Sequence, residues 1–212
     1  MIRLLEGAHG HLDKTTTLDF IAPFLLRMYL VPVFFMAGLK KIDSFDNIVM
    51  WFDKGLNLPF PTLMAYLATA TEVIGAFCLL VGFAVRWISI PLLFTMFVAI
   101  LTVHFDNGWA AIAPDASQAT TRLNGFLAWL ENNYPGRYNY ITELGTPVIL
   151  QNGIEYGASY IVMLFALFFY GAGKYVSMDY WIKERNYLPA LITGGILTGA
   201  YFALRHFFPG YM

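Results

Sequence analysis

A chain of 212 residues that is 58% hydrophobic and only 13% charged does not read as a water-soluble domain, since such domains are about a quarter charged. A formal net charge of −1 gives no electrostatic reason to expect a nucleic-acid partner. Cys78 is the only cysteine, which excludes an intrachain disulfide and argues against a cysteine metal site.

Residues 1–19 contain no long apolar run, so no cleavable signal peptide is expected and the segment reads as a cytoplasmic tail. Within it, His9 and His11 would need further ligands to hold a metal, and none is near in sequence. Five later stretches approach the roughly 20 apolar residues that a bilayer-crossing helix needs: Phe20–Lys40, Thr62–Gly82, Arg86–His104, Ile154–Lys174 and Leu188–Phe207. None alternates as a strand would, so helices are expected rather than a barrel. The first span is expected to act as an uncleaved targeting signal.

That first span carries Arg27, roughly 10 Å deep at a rise of about 1.5 Å per residue. Between spans one and two, Leu58 and Phe60 each precede a proline, which favours extended backbone. Span two carries Glu72 on a stripe of small residues that includes Ala65, Ala68, Gly75 and Ala76, the composition of close helix–helix contacts. An ionisable group at the bilayer centre costs about 3 kcal/mol on insertion scales and normally finds a partner. Arg27 and Glu72 sit at matched depth in antiparallel spans, so they are expected to meet directly or through water. Two readings follow: a structural ion pair that fixes register, or a proton-linked or ligand-binding carboxylate set by Arg27.

Residues 83–85 are so few that spans two and three must form a hairpin. The long 105–153 connection has Leu123, Phe126, Leu127 and Leu130 at helical spacing after Asp115 or Ser117, either of which can cap a helix. That helix lies on the membrane or bundle, or packs on the loop's own residues. Span five spaces Gly195, Gly199 and Ala203 by four, a pattern for close helix packing. Lysine and arginine numbers tie across the two sides; the short Arg86 turn favours a cytoplasmic N-terminus with 105–153 outside.

Alternating spans would bring Lys40, Lys41, His104 and Glu155 to one face, with Asp106 and Asn107 close in sequence. Such a cluster can bind a metal, relay protons or hold a quinone carbonyl; each residue alone can equally be an interfacial anchor. No GxGxxG, Walker loop, CxxC, nucleophile elbow or pair of axial histidines inside spans is present, so no flavin, nucleotide or haem is supported.

Arg27 followed by FFMAGLKKI, then GLNLPFPTLMAYLATATEVIGAFCLLVGFAVR, TVHFDNGW and GAGKYVSMD, resemble in order the successive span signatures of the DoxX family of small bacterial membrane proteins. The resemblance covers about Phe24 to Asp179; the long loop and the fifth span go beyond the family's usual four-helix unit. It implies an inner-membrane location, a link to quinone-dependent membrane redox systems, quinone as cofactor, and other membrane or periplasmic redox proteins as partners besides the lipid bilayer.

The expected fold is an all-α polytopic membrane bundle. It comprises a tail at 1–19, a DoxX-like membrane domain at 20–179 with an extramembrane loop at 105–153, and an added transmembrane helix at 180–212. Arg27 and Glu72 are expected to form a mid-membrane polar site; Lys40, His104, Asn107 and Glu155 form the outer-face cluster. The first functional reading is a subunit or accessory protein of a quinone-linked membrane redox system. A non-catalytic scaffold for partner proteins is the second. A small-solute or metal-handling transporter is a third, against which the lack of an obvious inverted repeat argues.

Overall fold

The structure, a computed structural model, describes residues 14–207; His9 and His11 lie outside the described residues. Contacts divide these residues into two units, 14–96 with 160–207, and 97–159. Among the described residues every regular element is a helix, apart from an isolated bridge between Ile112 and Leu150.

In the first unit, α1 (Ile21–Asp43) leads into a short helix, α2 (Phe45–Met50), and a π-helical turn, Trp51–Gly55. The entry before span two, residues 56–60, lies outside these helices. Phe60 does not take the extended backbone expected of it: it holds φ 52°, a left-handed turn at the start of α3 (Pro61–Val81). A proline at the first helical position suits α3, because its missing N–H has no intrahelical partner there anyway. Helix α3 ends at Gly82, φ 70°, and α4 (Val85–Ala99) begins three residues later, which is the expected tight hairpin. A π-helical turn, Ile100–His104, continues α4. The unit also contains most of α7 (Glu155–Tyr170), a short helix α8 (Met178–Lys183), and α9 (Tyr187–Phe207).

Among the described residues, four helical runs are long and apolar enough to cross a bilayer: Thr16–Asp43, Pro61–Val81, Val85–Asn107 and Tyr187–His206. The fourth expected span, Ile154–Lys174, gives a helix shorter than its apolar sequence. Helix α7 has 16 residues, about 24 Å of helix against a hydrocarbon core of about 30 Å. The cause is local: Gly171, Gly173 and Tyr175 all take positive φ, at 77°, 87° and 56°, which ends the helix and turns the chain back.

The core is built mainly of aliphatic and aromatic side chains, with Arg27, Glu72, Ser89 and Ser177 also buried. Leu30, Val31 and Phe34 of α1 meet Leu79 and Leu80 of α3, Leu92 of α4, and Leu164 and Leu167 of α7. Tyr201 of α9 closes this cluster against Phe35. Helices α1 and α3 approach closely at Gly38, where an added Cβ would lie 2.6 Å from Val73 Cγ2. The outward faces are also apolar: Trp87 is 78% exposed and Phe94 69%. Large apolar groups left bare on several long helices are what lipid contact demands. The chain is a multi-pass helical membrane protein.

In the second unit, α5 (Gln118–Asn133) starts where the sequence indicates. Ser117 Oγ accepts the Thr120 N–H at 3.1 Å, and Leu127 and Leu130 are buried. Helix α6 (Pro135–Thr142) follows and packs on α5, so the helix does pack on the loop's own residues. The two ends of the loop zip together through backbone bonds, among them Ala113 N to Ile149 O and Glu155 N to Trp109 O. Gly153 lies at the tightest point, where a Cβ would come 2.5 Å from the Ala110 carbonyl oxygen.

Candidate functional site

Three polar assemblies carry the ionisable residues singled out by the sequence. The first centres on Arg27, which is fully buried. Its Nη1 donates to the Leu79 carbonyl at 3.0 Å and to that of Leu80 at 3.4 Å; Nη2 donates to the Val176 carbonyl at 2.6 Å. Leu79 and Leu80 belong to the last turn of α3, whose carbonyls have no intrahelical partners and carry the negative end of the helix dipole. A guanidinium is well matched to that end, since its planar fork reaches several acceptors at once.

The chain after α7 completes this assembly. Asp179 accepts the N–H groups of Ala84 and Val85 at 2.7 and 3.0 Å, capping the start of α4, while its own N–H donates to the Gly82 carbonyl. Ser177 caps α8 by accepting the Tyr180 N–H. Gly82 is fixed twice over: its φ is positive, and a Cβ would lie 2.5 Å from Arg27 Nη1 and 2.6 Å from Ser177 Cβ. Arg27, Gly82, Ser177 and Asp179 thus form one clasp between the 82–84 turn and the 171–179 segment. Lys174 and Asp19 form an exposed ion pair nearby at 2.8 Å; the hydrogen bond to Asp19 holds the Lys174 ammonium above the ordinary lysine pKa.

The second assembly corrects the expected partnership of Arg27 with Glu72. Glu72 is 3% exposed, and both its carboxylate oxygens accept from Lys41 Nζ, at 2.8 and 2.7 Å. The geometry follows from helix length. Arg27 and Lys41 both lie on α1, 41 − 27 residues apart or about 21 Å at about 1.5 Å per residue. Arg27 instead reaches the C-terminal carbonyls of α3, further along that helix than Glu72. Lys41 lies at the C-terminal end of α1, where a cation also suits the dipole.

This pair borders an open groove of about 760 Å³ along α1, lined by residues that include Tyr29, Val33, Met36, Lys40, Lys41 and Trp51. Most of the lining is apolar, with two lysines gathered at one end. Met28 and Pro32 also line it; Pro32 has no N–H to give the Met28 carbonyl, its helical acceptor.

The third assembly lies in the 97–159 unit. His104 Nδ1 is 2.9 Å from the Asn152 carbonyl oxygen, which also accepts from Asn107 Nδ2 at 3.2 Å. Gln151 Nε2 donates to the Asn107 carbonyl, and Glu155 Oε2 accepts the Ala111 N–H at 3.0 Å. The structure gathers His104, Asn107 and Glu155 along the zipped ends of the loop, each holding backbone. Lys40 belongs to the other unit and lines the groove there. Among the described residues, no three of His, Cys, Asp and Glu gather closely enough to hold a metal ion.

Sequence reasoning missed two members of these assemblies. Lys41 read as a member of the outer face or as a headgroup anchor because it ends a span, and not as the partner of Glu72. Asp179 read as part of a closing motif; it lies in the first turn of α8 yet caps α4, some 95 residues away in sequence, so no local signal pointed to that role.

Comparison with known proteins places the first three long helical segments. Residues 22–105 match the model of the DoxX family. This part of the chain is similar to DoxX proteins. The match spans Arg27, Gly38, Lys41, Glu72 and Gly82, so the clasp arginine and the buried ion pair both lie inside it. A protein of Bacillus subtilis (strain 168) named "Putative oxidoreductase CatD" is 31% identical over 83 residues, which is 39% of this chain and 60% of that relative. The chain thus matches less than two thirds of that relative's length. No solved structure matches the chain.

Proposed function

We propose that this protein is an integral subunit or accessory protein of a quinone-linked redox system in the bacterial inner membrane, with its N-terminus in the cytoplasm. The observation that carries the reading is the groove along α1: an open, mostly apolar groove whose lining includes Lys40 and Lys41, the ion-pair partner of Glu72. The DoxX similarity and the printed name of the Bacillus relative support a redox setting. A quinone fits the residues present. Met28, Val33 and Met36 suit an isoprenoid tail. Lys40 has a donor for a ring carbonyl, and the Met28 carbonyl is an acceptor freed by Pro32. A bound quinone would supply two-electron, two-proton redox chemistry; Lys41 holds Glu72 in place beside it.

Purification in mild detergent followed by organic extraction tests this. The proposal expects near-stoichiometric quinone with the native chain. Ala37→Phe, which fills the groove, should lose it while the yield of monodisperse protein stays constant. Native protein free of quinone in a quinone-replete host would refute the reading.

A second reading has its own support. Arg27, Asp179 and Glu155 spend their hydrogen bonds on backbone within the chain, as expected of a scaffold whose charges serve its own fold. In that case partner proteins co-purify and quinone does not.

A further inference from the structure

A second cavity, of about 910 Å³, lies at the end of the bundle where α1 and α4 begin and α7 ends. Its walls change character along their length. Pro23, Leu26, Ala166 and Leu167 make an apolar side. At the mouth stand three cations, Arg86, Lys174 and Lys183, with Asp19 and Asp179 as the carboxylates. Both carboxylates are engaged: Asp19 holds Lys174, and Asp179 takes the two N–H groups that start α4. Arg86 gives one N–H to the Phe169 carbonyl and keeps its charge unpaired by any carboxylate among the described ion pairs. Lys183 likewise has no ion pair there. Trp87 and Tyr170, 78% and 79% exposed, flank the mouth. Such amphipathic rings sit at headgroup level in membrane proteins.

We propose that this cavity binds the phosphate headgroup of an anionic phospholipid, with Arg86 and Lys183 on the phosphate and an acyl chain along Leu26 and Leu167. An apolar wall that opens onto a cationic, aromatic-flanked mouth matches an amphiphile with an anionic head, and neither half alone explains the other. Basic pockets between transmembrane helices recognise anionic headgroups in this way. A forked guanidinium takes two phosphate oxygens where an ammonium takes one. The site is separate from the α1 groove and does not depend on what that groove holds.

The test uses the full chain in nanodiscs of phosphatidylcholine, with phosphatidylglycerol titrated in and retention read by native mass spectrometry after mild detergent release. The native chain should retain phosphatidylglycerol at least tenfold over phosphatidylcholine. Each of Lys183→Gln and Arg86→Gln should weaken retention about fivefold, the scale of one cation near an anionic surface. Lys183→Gln removes no hydrogen bond recorded for this residue, so it keeps the test valid if Arg86→Gln folds poorly. Lys183→Arg should restore retention. Equal retention of the two lipids overturns the proposal, as does an unchanged Lys183→Gln. Displacement of the lipid by millimolar inorganic phosphate would assign the site to free phosphate and also overturn it.

Discussion

Glu72 and Lys41 should be energetically coupled, and Glu72 and Arg27 should not. The carboxylate is 3% exposed with both oxygens on one ammonium, while the lysine side chain keeps 19% exposure at the groove. That asymmetry sets the order of the single-site effects. Lys41→Met leaves a carboxylate buried and unpaired and should cost about 3–5 kcal/mol. Glu72→Leu leaves an ammonium that can still reach water and should cost less, about 1.5–3 kcal/mol, the worth of a charged hydrogen bond. The double variant Lys41→Met with Glu72→Leu should recover part of the summed loss, giving a coupling of about 2 kcal/mol. Arg27→Leu with Glu72→Leu should instead be additive to within about 0.5 kcal/mol, because the two groups share no partner. Equilibrium unfolding of the detergent-solubilised chain in SDS, followed by far-UV circular dichroism, measures both cycles. Coupling above about 1 kcal/mol between Arg27 and Glu72, with none between Lys41 and Glu72, would refute the register of α1 on α3 described here.

Three further outcomes follow. Gly82→Ala should destabilise the fold by about 1–3 kcal/mol, since it adds a Cβ at φ 70° where Arg27 and Ser177 already press; a neutral result in the same unfolding assay would contradict the clasp. Asp179→Ala removes the acceptor of two N–H groups at the start of α4 and should cost about 1–2 kcal/mol, with faster amide exchange at Ala84 and Val85 as its local signature. With Cys78→Ala as background, Asp115→Cys should react with an impermeant thiol reagent in spheroplasts that keep their inner membrane intact; labelling only after lysis would invert the proposed orientation.

The long helices were legible because apolar run length is a direct physical requirement for crossing a bilayer. The α3–α4 hairpin was legible for a related reason, since three residues admit little else. Helix α7 was overestimated because hydropathy does not register the positive φ of Gly171, Gly173 and Tyr175, which stops the helix while the chain stays apolar. The partner of Arg27 was hidden for a different reason. Backbone carbonyls are available from every residue, so a charge that pairs with a helix terminus leaves no complementary side chain in the sequence. Depth counted from each span's own end also misjudged the register, which is set by the close approach at Gly38 and by where the long side chains of Arg27 and Lys41 reach. The cap of α5, by contrast, was narrowed to Asp115 or Ser117, because a capping side chain acts only within its own few residues; the structure uses Ser117.

The claim that the α1 groove holds a quinone is tested most directly by photo-crosslinking native membranes with an azido-quinone and mapping the modified peptides. The account predicts adducts on the Met28–Lys41 segment and on Trp51, suppressed by excess unmodified quinone and lost in Ala37→Phe. Adducts spread evenly over the lipid-facing surfaces of all long helices, unaffected by competitor, would contradict it.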